Sequence, residues 1–354
     1  MKKAKLLILT IFILTVIIIL PLTSCKKKSD TPDPINPVVA PAYEFVDGST
    51  VYIKMGRYPQ SLETEVSIDD IKASGSYNES TGYYKYNDKE YKIITANPCT
   101  QDIAPTFSNG EVVVKGKEYA FVVEPIVWKI INKSLKEEYY LAYSNCILDT
   151  TIYQYQSKIG STTTGVKNYY LLDSDGNMQI DAEIYANNWE YSVLREALHN
   201  FYNVAFSETN KSAIQTFTIN NSSPNSGKNY FPSHQKDTEE QVFVLSSSEA
   251  QNSRYGYTTE DKERRLRIAT DFAIAKGVFN LRTKGTDSYG WAWTRTAGTS
   301  SNNVHIIDTQ GNLDVTFIND DSNLKVGYAP AVRLNIILWD FYIDIVCFFW
   351  IGED

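Results

Sequence analysis

Two tryptophans and an arginine near the C-terminal end of the chain have the types and spacing of a ligand-binding surface. Trp291, Trp293 and Arg295 alternate along a segment that we predict to be a strand, and alternate side chains of a strand point to the same face. An aromatic pair beside a guanidinium suits a sugar face or a planar ligand, through stacking and charge-assisted hydrogen bonds. Together with Arg333 in the last predicted strand, these residues are our ligand-binding candidates.

The alternative is that the two tryptophans belong to the core and that Arg295 pairs with an internal acid. Aromatic side chains in the closing strands of a compact domain usually pack inward, and this favours the packing alternative. Trp128 and Trp189 we assign to the core outright.

The three histidines form no recognisable catalytic set with a nucleophile. His199 follows the apolar face of a predicted helix, His234 lies in a polar loop, and His305 lies in a strand near Asp308. No Gly-x-Ser-x-Gly motif, phosphate loop or dinucleotide fingerprint occurs in the chain, so no nucleophile can be nominated. The sequence therefore indicates no catalytic residue and no cofactor, and it favours a binding role over an enzyme.

Metal-binding patterns are weak. Asp173, Asp175 and Asn177 resemble a fragment of a calcium loop, but the segment lacks the glutamate that closes such a loop. A solvated loop is the simpler interpretation, and we predict no metal site.

Three cysteines besides Cys25 are widely spaced along the chain: Cys99, Cys146 and Cys347. No Cys-x-x-Cys pair occurs, which argues against structural zinc. One disulfide could form in an exported protein, and the sequence leaves the pair open.

The charge balance excludes one class of partner. The 354 residues contain 34 Lys and Arg against 42 Asp and Glu, and loss of Lys2, Lys3 and Lys5 with a cleaved leader would change the net charge from −8 to −11. Binding to a phosphate backbone needs a positive face. We therefore expect no nucleic-acid partner.

The N-terminus has the order of zones of an export signal. Three lysines precede the charge-free apolar residues 6–20, and Leu22-Thr23-Ser24-Cys25 follows. This tetrapeptide resembles the lipobox of bacterial lipoproteins, which implies removal of residues 1–24 and lipidation of Cys25. The alternative is an uncleaved membrane anchor. Residues 25–42 are rich in Lys and Pro, which predicts an extended, disordered tether between the membrane and the folded part.

The folded part, residues 43–335, is predicted to be one α+β domain, because strands occupy both ends and helices the middle. The predicted strands cover residues 50–55, 83–95 (a hairpin around Asn87-Asp88), 118–131, 138–143, 241–245, 289–296, 304–308 and 326–337. Residues 157–188 are predicted to be a polar loop. Helices are predicted over residues 189–201, after Ser207, at residues 246–249 and over residues 267–276.

Seven blocks of sequence, in order, resemble the bacterial DUF6273 family, a domain of uncharacterised function. They are residues 52–60, 123–130, 189–195, 201–206, 242–246, 290–295 and 329–334, and they include Gly56-Arg57-Tyr58-Pro59-Gln60 and Gly290-Trp291-Ala292-Trp293-Thr294-Arg295. The closing strands are also similar, more loosely, to C-type-lectin-like and formylglycine-generating-enzyme folds. That resemblance implies a single lectin-like domain of short, mostly antiparallel strands. The cysteines match no redox arrangement of the formylglycine-generating enzymes, so that activity is not carried over.

Two features depart from the family pattern. The terminal Arg-Pro-Ala motif is spread over residues 328–333, and the tail at residues 336–354 is unusually apolar. The tail could be a final core strand, a partner surface or the product of an altered reading frame. With fewer than about 18 apolar residues and with Asp340 and Asp344 inside it, it is a poor membrane span.

These observations predict a lipoprotein of the bacterial cell envelope, anchored through Cys25 and facing away from the cytoplasm. Its expected role is non-catalytic binding of a glycan, a peptide or a protein. The alternatives are an envelope enzyme with an unrecognised site and a purely structural envelope protein.

Overall fold

A computed structural model describes residues 43–46, 50–156, 159–161, 167–172, 178–221, 235–258, 260–284, 287–318 and 326–335. All of them belong to one compact unit, Ala40–Asp354. The described strands are, in chain order, β1 (Tyr43–Val46), β2 (Thr50–Leu62), β3 (Ser76–Asn78), β4 (Tyr83–Tyr86), β5 (Lys89–Thr95), β6 (Glu118–Ser134), β7 (Tyr139–Ser144), β8 (Cys146–Ile147), β9 (Asp149–Thr151), β10 (Ile159–Ser161), β11 (Lys167–Leu172), β12 (Met178–Tyr185), β13 (Phe217–Ile219), β14 (Thr238–Glu240), β15 (Val242–Phe243), β16 (Ile268–Ala269), β17 (Asn280–Lys284), β18 (Asp287–Gly290), β19 (Ala292–Ala297), β20 (Asn303–Ile307), β21 (Leu313–Phe317), β22 (Val326–Tyr328) and β23 (Ala331–Asn335).

Each described α-helix begins after a serine or threonine whose hydroxyl accepts the backbone N–H three residues on, which satisfies one of the unpaired donors of the first turn. The helices, with these capping residues, are α1 (Ile68–Ser74, Ser67), α2 (Val193–Ala205, Ser192), α3 (Glu208–Ala213, Ser207) and α4 (Asp271–Lys276, Thr270). Short 3-10 helices cover Glu249–Gln251, Ser253–Tyr255 and Lys262–Arg265.

The strands form five sheets with mostly antiparallel pairing. A nine-stranded sheet has the order β15-β23-β7-β6-β5-β4-β3, with β2 pairing both β6 and β1. A five-stranded sheet has the order β21-β20-β19-β22-β9, and a four-stranded sheet the order β17-β18-β16-β8. Two smaller sheets consist of β10-β11-β12 and β13-β14. The described parallel pairs are β8 with β16 and β19 with β22. The predicted α+β class with mostly antiparallel strands is thereby confirmed.

The 17-residue strand β6 organises the large sheet, because it is long enough to pair with β2, β5 and β7. Its alternation of apolar and polar residues buries Phe121, Ile126 and Trp128 in the main core. The indole of Trp128 donates to the Met55 carbonyl at 2.7 Å. Trp128 and Trp189 are both fully buried, which confirms their assignment to the core.

Two predicted breaks between elements lie inside strands of the structure and are corrected. Residues 56–59 do not close β2, because Gly56 takes a positive φ of 70° at a register shift and the strand continues to Leu62. A Cβ at Gly56 would lie 2.7 Å from the Phe206 ring, so the close approach also requires glycine. Likewise, the predicted turn at 132–134 belongs to β6, and the chain turns after Ser134.

Other predicted elements are shorter or divided. The helix predicted over 267–276 begins only at Asp271, because Ile268 and Ala269 pair with β8 as strand β16. Residues 326–337 contain two strands in different sheets, separated at Ala329-Pro330. Residues 157–188 are not a loop throughout, since their described parts form β10, β11 and β12.

The residues expected to form the lipidated N-terminus and the apolar C-terminal tail, residues 1–42 and 336–354, lie outside the described residues. The same holds for Cys25, Asp173, Asp175, Asn177, His234 and Cys347.

Candidate functional site

Trp291 lies between two strands. β18 ends at Gly290 and β19 begins at Ala292, so the chain passes at Trp291 from the four-stranded to the five-stranded sheet. Its partly buried ring packs on Phe279, with 4.5 Å between the ring centroids. The single strand predicted over 289–296 is therefore wrong, and strand alternation does not place Trp291 on one face with Trp293 and Arg295.

Trp293 and Arg295 are buried, with 3% of each residue exposed. The Trp293 indole donates to the Thr151 carbonyl at 2.8 Å. The Arg295 guanidinium forms a two-point ion pair with Glu249, with Nη1–Oε2 and Nη2–Oε1 distances of 2.5 and 3.0 Å. The internal acid of the packing alternative is thus Glu249.

Arg333 lies between two aromatic rings. Its guanidinium carbon is 4.0 Å from the Tyr139 centroid and 3.8 Å from the Phe217 centroid, and 26% of its side chain is exposed. Such contacts are attractive because the ring faces are electron-rich. Internal contacts therefore account for all four candidate residues, and their role in ligand binding stays a prediction.

Of the histidines, His199 contacts a fully buried carboxylate. Glu240 accepts hydrogen bonds from Arg195 Nε at 2.6 Å and Trp189 Nε1 at 3.0 Å, and the Nε2 atom of His199 lies 3.1 Å from it. Burial opposes ionisation of Glu240, but these hydrogen bonds outweigh it and hold the pKa of the carboxyl below its usual value. The cluster fastens α2 to β14. His305 lies in β20 as predicted, and burial lowers the pKa of its imidazole.

Of the two described cysteines, Cys99 is buried, with its Sγ atom 3.7 Å from the Thr100 carbonyl oxygen, and Cys146 is a free thiol. Burial raises the pKa of Cys146 to about 11, so its nucleophilic thiolate form is scarce at neutral pH. Within the described part of the chain, no group of three or more His, Cys, Asp or Glu side chains is arranged to hold a metal ion.

A cleft of roughly 300 Å³ opens where the two largest sheets meet helices α2 and α4. Eight polar or phenolic side chains line it: Tyr58, Thr81, Tyr83, Lys92, Asp149, Asn200, Lys276 and Tyr328. One wall is aromatic, because the Tyr58 ring lies 5.0 Å from Phe201 and 5.9 Å from Phe272, centroid to centroid. We refer to this feature as the Asp149 cleft.

Asp149, 5% exposed, is the centre of a hydrogen-bonded cluster in the cleft. Its Oδ1 atom accepts the Thr150 backbone N–H at 2.7 Å and lies 2.5 Å from Lys276 Nζ. Its Oδ2 atom accepts the Tyr58 hydroxyl at 2.7 Å, and the Tyr328 hydroxyl joins the cluster. Burial, and secondarily the negative charge of Asp149, raises the pKa of both Tyr58 and Tyr328 far above the usual value. Both hydroxyls are therefore neutral donors at physiological pH.

Lys92 and Tyr83 also line the cleft. The half-buried Lys92 ammonium donates to the Gly82 carbonyl at 3.1 Å and lies 5.8 Å from the Tyr83 ring centroid. Burial, followed by repulsion from Lys276, lowers the pKa of Lys92. Gly82 has a φ of +69°, and a Cβ there would lie 2.6 Å from Lys92 Nζ, so glycine permits this approach.

The arrangement has the features of a small-molecule site. A volume near 300 Å³ is at the lower end of small-molecule sites, and an aromatic wall with a few convergent polar groups is their usual chemistry. Ammonium and hydroxyl groups dominate the polar side, so the cleft offers mainly hydrogen-bond donors.

The cleft residues are not among the candidates predicted from the sequence, although the sequence carries signals for some of them. Tyr58 lies inside a block that carries the family resemblance, and Tyr328 directly precedes another. Asp149 is a single charge within the apolar and hydroxyl-bearing run Cys146 to Thr151, and such a charge needs a partner when buried. Nothing local marks Lys92 or Lys276, because only the tertiary fold brings them to Asp149.

None of the described helices combines the length and the apolar character that crossing a bilayer requires.

Comparison with known proteins gives one match. The pattern of DUF6273, described as a domain of unknown function, matches residues 135–336. Asp149 and Lys276 lie inside the matched segment, whereas Tyr58 and Lys92 precede it. No curated protein and no solved structure matches the chain. Because the match covers more than half of its length, the chain belongs to the DUF6273 family of domains of unknown function.

Proposed function

We propose that this protein is a membrane-anchored lipoprotein of the bacterial envelope whose folded domain binds a small ligand in the Asp149 cleft. The convergence of Lys92, Asp149 and Lys276 on an aromatic-walled cleft is the observation that carries the binding role. The basic, apolar and Leu22-Thr23-Ser24-Cys25 zones support the anchor and the extracytoplasmic location.

We further propose that the domain is lectin-like in topology. The support is the mixed five-stranded sheet near the C-terminus, in which β19, with Trp293, pairs with both β20 and β22. In this proposal the cleft takes a glycan fragment, a short peptide or another small molecule, and the protein performs no chemistry on it.

A screen of the full chain in mild detergent tests the binding role. Saturation-transfer NMR would be run against mono- and disaccharides, dipeptides and small organic acids. Ala197→Phe fills the cleft from α2, and Asn203→Phe adds the same ring at an exposed position of that helix outside the cleft.

We expect a ligand that binds the native chain and Asn203→Phe but not Ala197→Phe, with all three folded by circular dichroism. A ligand that binds all three equally would place the site elsewhere. The absence of any ligand would contradict the small-molecule role.

One observation favours an enzyme as the second candidate. The lowered pKa of Lys92 beside a second cation is the environment that activates lysine as a base or nucleophile. Turnover of a bound ligand that Lys92→Gln abolishes would establish this alternative.

A further inference from the structure

We infer that the ligand of the Asp149 cleft carries an oxyanion, a carboxylate or a phosphate group, which is seated on the Lys92 ammonium and the Tyr83 hydroxyl. This inference rests on the proposed binding function and names the chemical class of the ligand.

The first observation is the unbalanced charge of Lys92. Among the described residues, no carboxylate lies within 4.0 Å of its Nζ atom, and its hydrogen bond goes to the neutral carbonyl of Gly82. An ammonium has three donors and is costly to bury without a counter-charge. A ligand that brings negative oxygen atoms would remove this cost.

The second observation is independent of the first. Tyr83 lines the cleft and is only 5% exposed, and its buried hydroxyl makes no hydrogen bond to any described residue. Buried polar groups are almost always hydrogen-bonded, so an orphan hydroxyl in a cleft points to a missing partner. The Lys92 Nζ atom lies 5.8 Å from the Tyr83 ring centroid and both side chains can donate, which makes the missing partner an acceptor.

Asp149 does not fill this role. Its oxygen atoms already accept from Thr150 and Tyr58, and Lys276 balances its charge. The negative charge of Asp149 raises the pKa of Lys92, but burial and repulsion from Lys276 together outweigh this effect, so the pKa of Lys92 is lowered. Since its charge is compensated, Asp149 would not expel an anion from the Lys92 side of the cleft.

The aromatic wall determines which chemical groups the remainder of the ligand can have. Phe201 and Phe272 are nearly fully buried and form, with the Tyr58 ring, an apolar surface beside the polar groups. A cleft of roughly 300 Å³ accommodates a small organic acid or phosphate ester with an apolar or ring-shaped body. It does not suit a polyanion, which the net charge of −8 would repel.

Benzoate, phenyl phosphate and benzyl alcohol test the inference on the full chain, because they share a ring and differ in the anion. Affinity is measured by NMR titration. Occupancy of the Lys92 side is measured by mass spectrometry, as the protection of its amine from acetylation.

We expect benzoate or phenyl phosphate to bind at least tenfold more tightly than benzyl alcohol and to protect Lys92. The Lys92→Gln variant should lose about tenfold or more of that affinity, as expected for a hydrogen bond to a charged group. Benzyl alcohol should bind Lys92→Gln and the native chain alike. Lys89→Gln, at an exposed position of the same strand, is the matched control. Comparison of the two anions distinguishes a carboxylate from a phosphate.

Stability provides a second measurement. Because no carboxylate among the described residues balances the charge of Lys92, Lys92→Gln should melt at or above the temperature of the native chain when no ligand is added. A large fall in melting temperature would show an internal role for Lys92 and overturn the inference.

The experiments distinguish a cleft that binds a neutral ligand from a cleft that binds no ligand. A neutral ligand that Ala197→Phe excludes and Lys92→Gln does not affect would overturn the oxyanion class and leave the binding cleft standing. Anion binding that neither protects Lys92 nor responds to Lys92→Gln would also overturn it.

Discussion

Arg295 and Glu249 form a largely buried two-point ion pair between strand β19 and the 3-10 helix Glu249–Gln251. Arg295 Nη1 also donates to the Val244 carbonyl at 2.9 Å, and Glu249 accepts the Ser246 backbone N–H at 2.8 Å. The pair therefore fixes the residues after β15 against the five-stranded sheet. Its geometry gives Arg295 a structural role whatever the chain binds.

Removal of one partner should destabilise the fold strongly. Arg295→Met leaves Glu249 charged and largely buried, and such a loss costs about 3 kcal/mol of unfolding free energy. The change in unfolding free energy is measured by urea unfolding of the full chain in mild detergent, with tryptophan fluorescence as the signal. Arg254→Met replaces an exposed arginine and is the control. A change in Arg295→Met no larger than that of the control would contradict the structural role.

The same ion pair makes stability depend on pH. Burial opposes ionisation of Glu249, but the Arg295 charge and the Ser246 hydrogen bonds outweigh it, so its pKa in the folded state lies below the ordinary value of 4.5. The unfolded chain therefore takes up the proton first as pH falls. The full stabilisation is present above pH 4.5 and is lost as pH falls through the folded-state pKa.

We expect the urea midpoint to fall between pH 5 and pH 3 and to fall less steeply in Glu249→Gln, which cannot titrate at this position. Glu240, whose pKa is also lowered, adds to the slope in both proteins. Equal slopes in the two proteins would show that Glu249 does not contribute.

Much of the secondary structure could be predicted from local patterns. The Asn87-Asp88 hairpin was predicted from its turn residues, and both take a positive φ between β4 and β5. The Ser207 cap and the Gly277 helix end follow from side-chain and backbone chemistry at single positions. α1 was missed because a seven-residue helix shows barely two turns of periodicity.

The sheet assignments and the cleft could not be predicted in this way. A one-residue interruption at Trp291 moves the chain between sheets, and no propensity encodes which sheet a strand joins. Asp149 and Lys276 contact each other only because β9 and α4 pack together. The site therefore depends on tertiary contacts between residues far apart in sequence.

The aromatic sandwich around Arg333 predicts that shape matters there as well as charge. Arg333→Lys keeps the charge but loses the planar stacking on Tyr139 and Phe217. With 26% of the side chain exposed, we expect a loss of about 1 kcal/mol in unfolding free energy. Arg264→Lys, on an exposed arginine, should change stability little. A ligand whose affinity falls in Arg333→Lys at unchanged stability would instead support the sequence-based binding role.

The hydrogen bond from Tyr58 to Asp149 predicts a stability effect centred on the cleft. Tyr58→Phe removes a 2.7 Å donor from a buried carboxylate, which should cost about 1–3 kcal/mol. Tyr77→Phe removes the hydroxyl of an exposed tyrosine and is the control. Thermal melting compares the two, and equal melting temperatures would show that Asp149 does not depend on Tyr58.

The proposed lipid anchor predicts that the chain is cleaved before Cys25 and that Cys25 is acylated. In a bacterial host, mass spectrometry of the native chain should find residues 1–24 removed and acyl chains on Cys25, because the apolar run and Leu22-Thr23-Ser24-Cys25 have the order that processing requires. Each buried methylene of an acyl chain contributes about 0.8 kcal/mol to the free energy of membrane binding, so two or three chains would anchor the protein stably. In a detergent phase-partition experiment, the protein should therefore be recovered in the detergent phase. Cys25→Ala should lose the acyl chains, whereas Cys99→Ala should keep them. The contrary result is that the native chain and Cys25→Ala both keep an unprocessed, unacylated N-terminus and both stay in the membrane fraction. That result would show that residues 6–20 act as an uncleaved anchor, and it would refute the lipoprotein proposal.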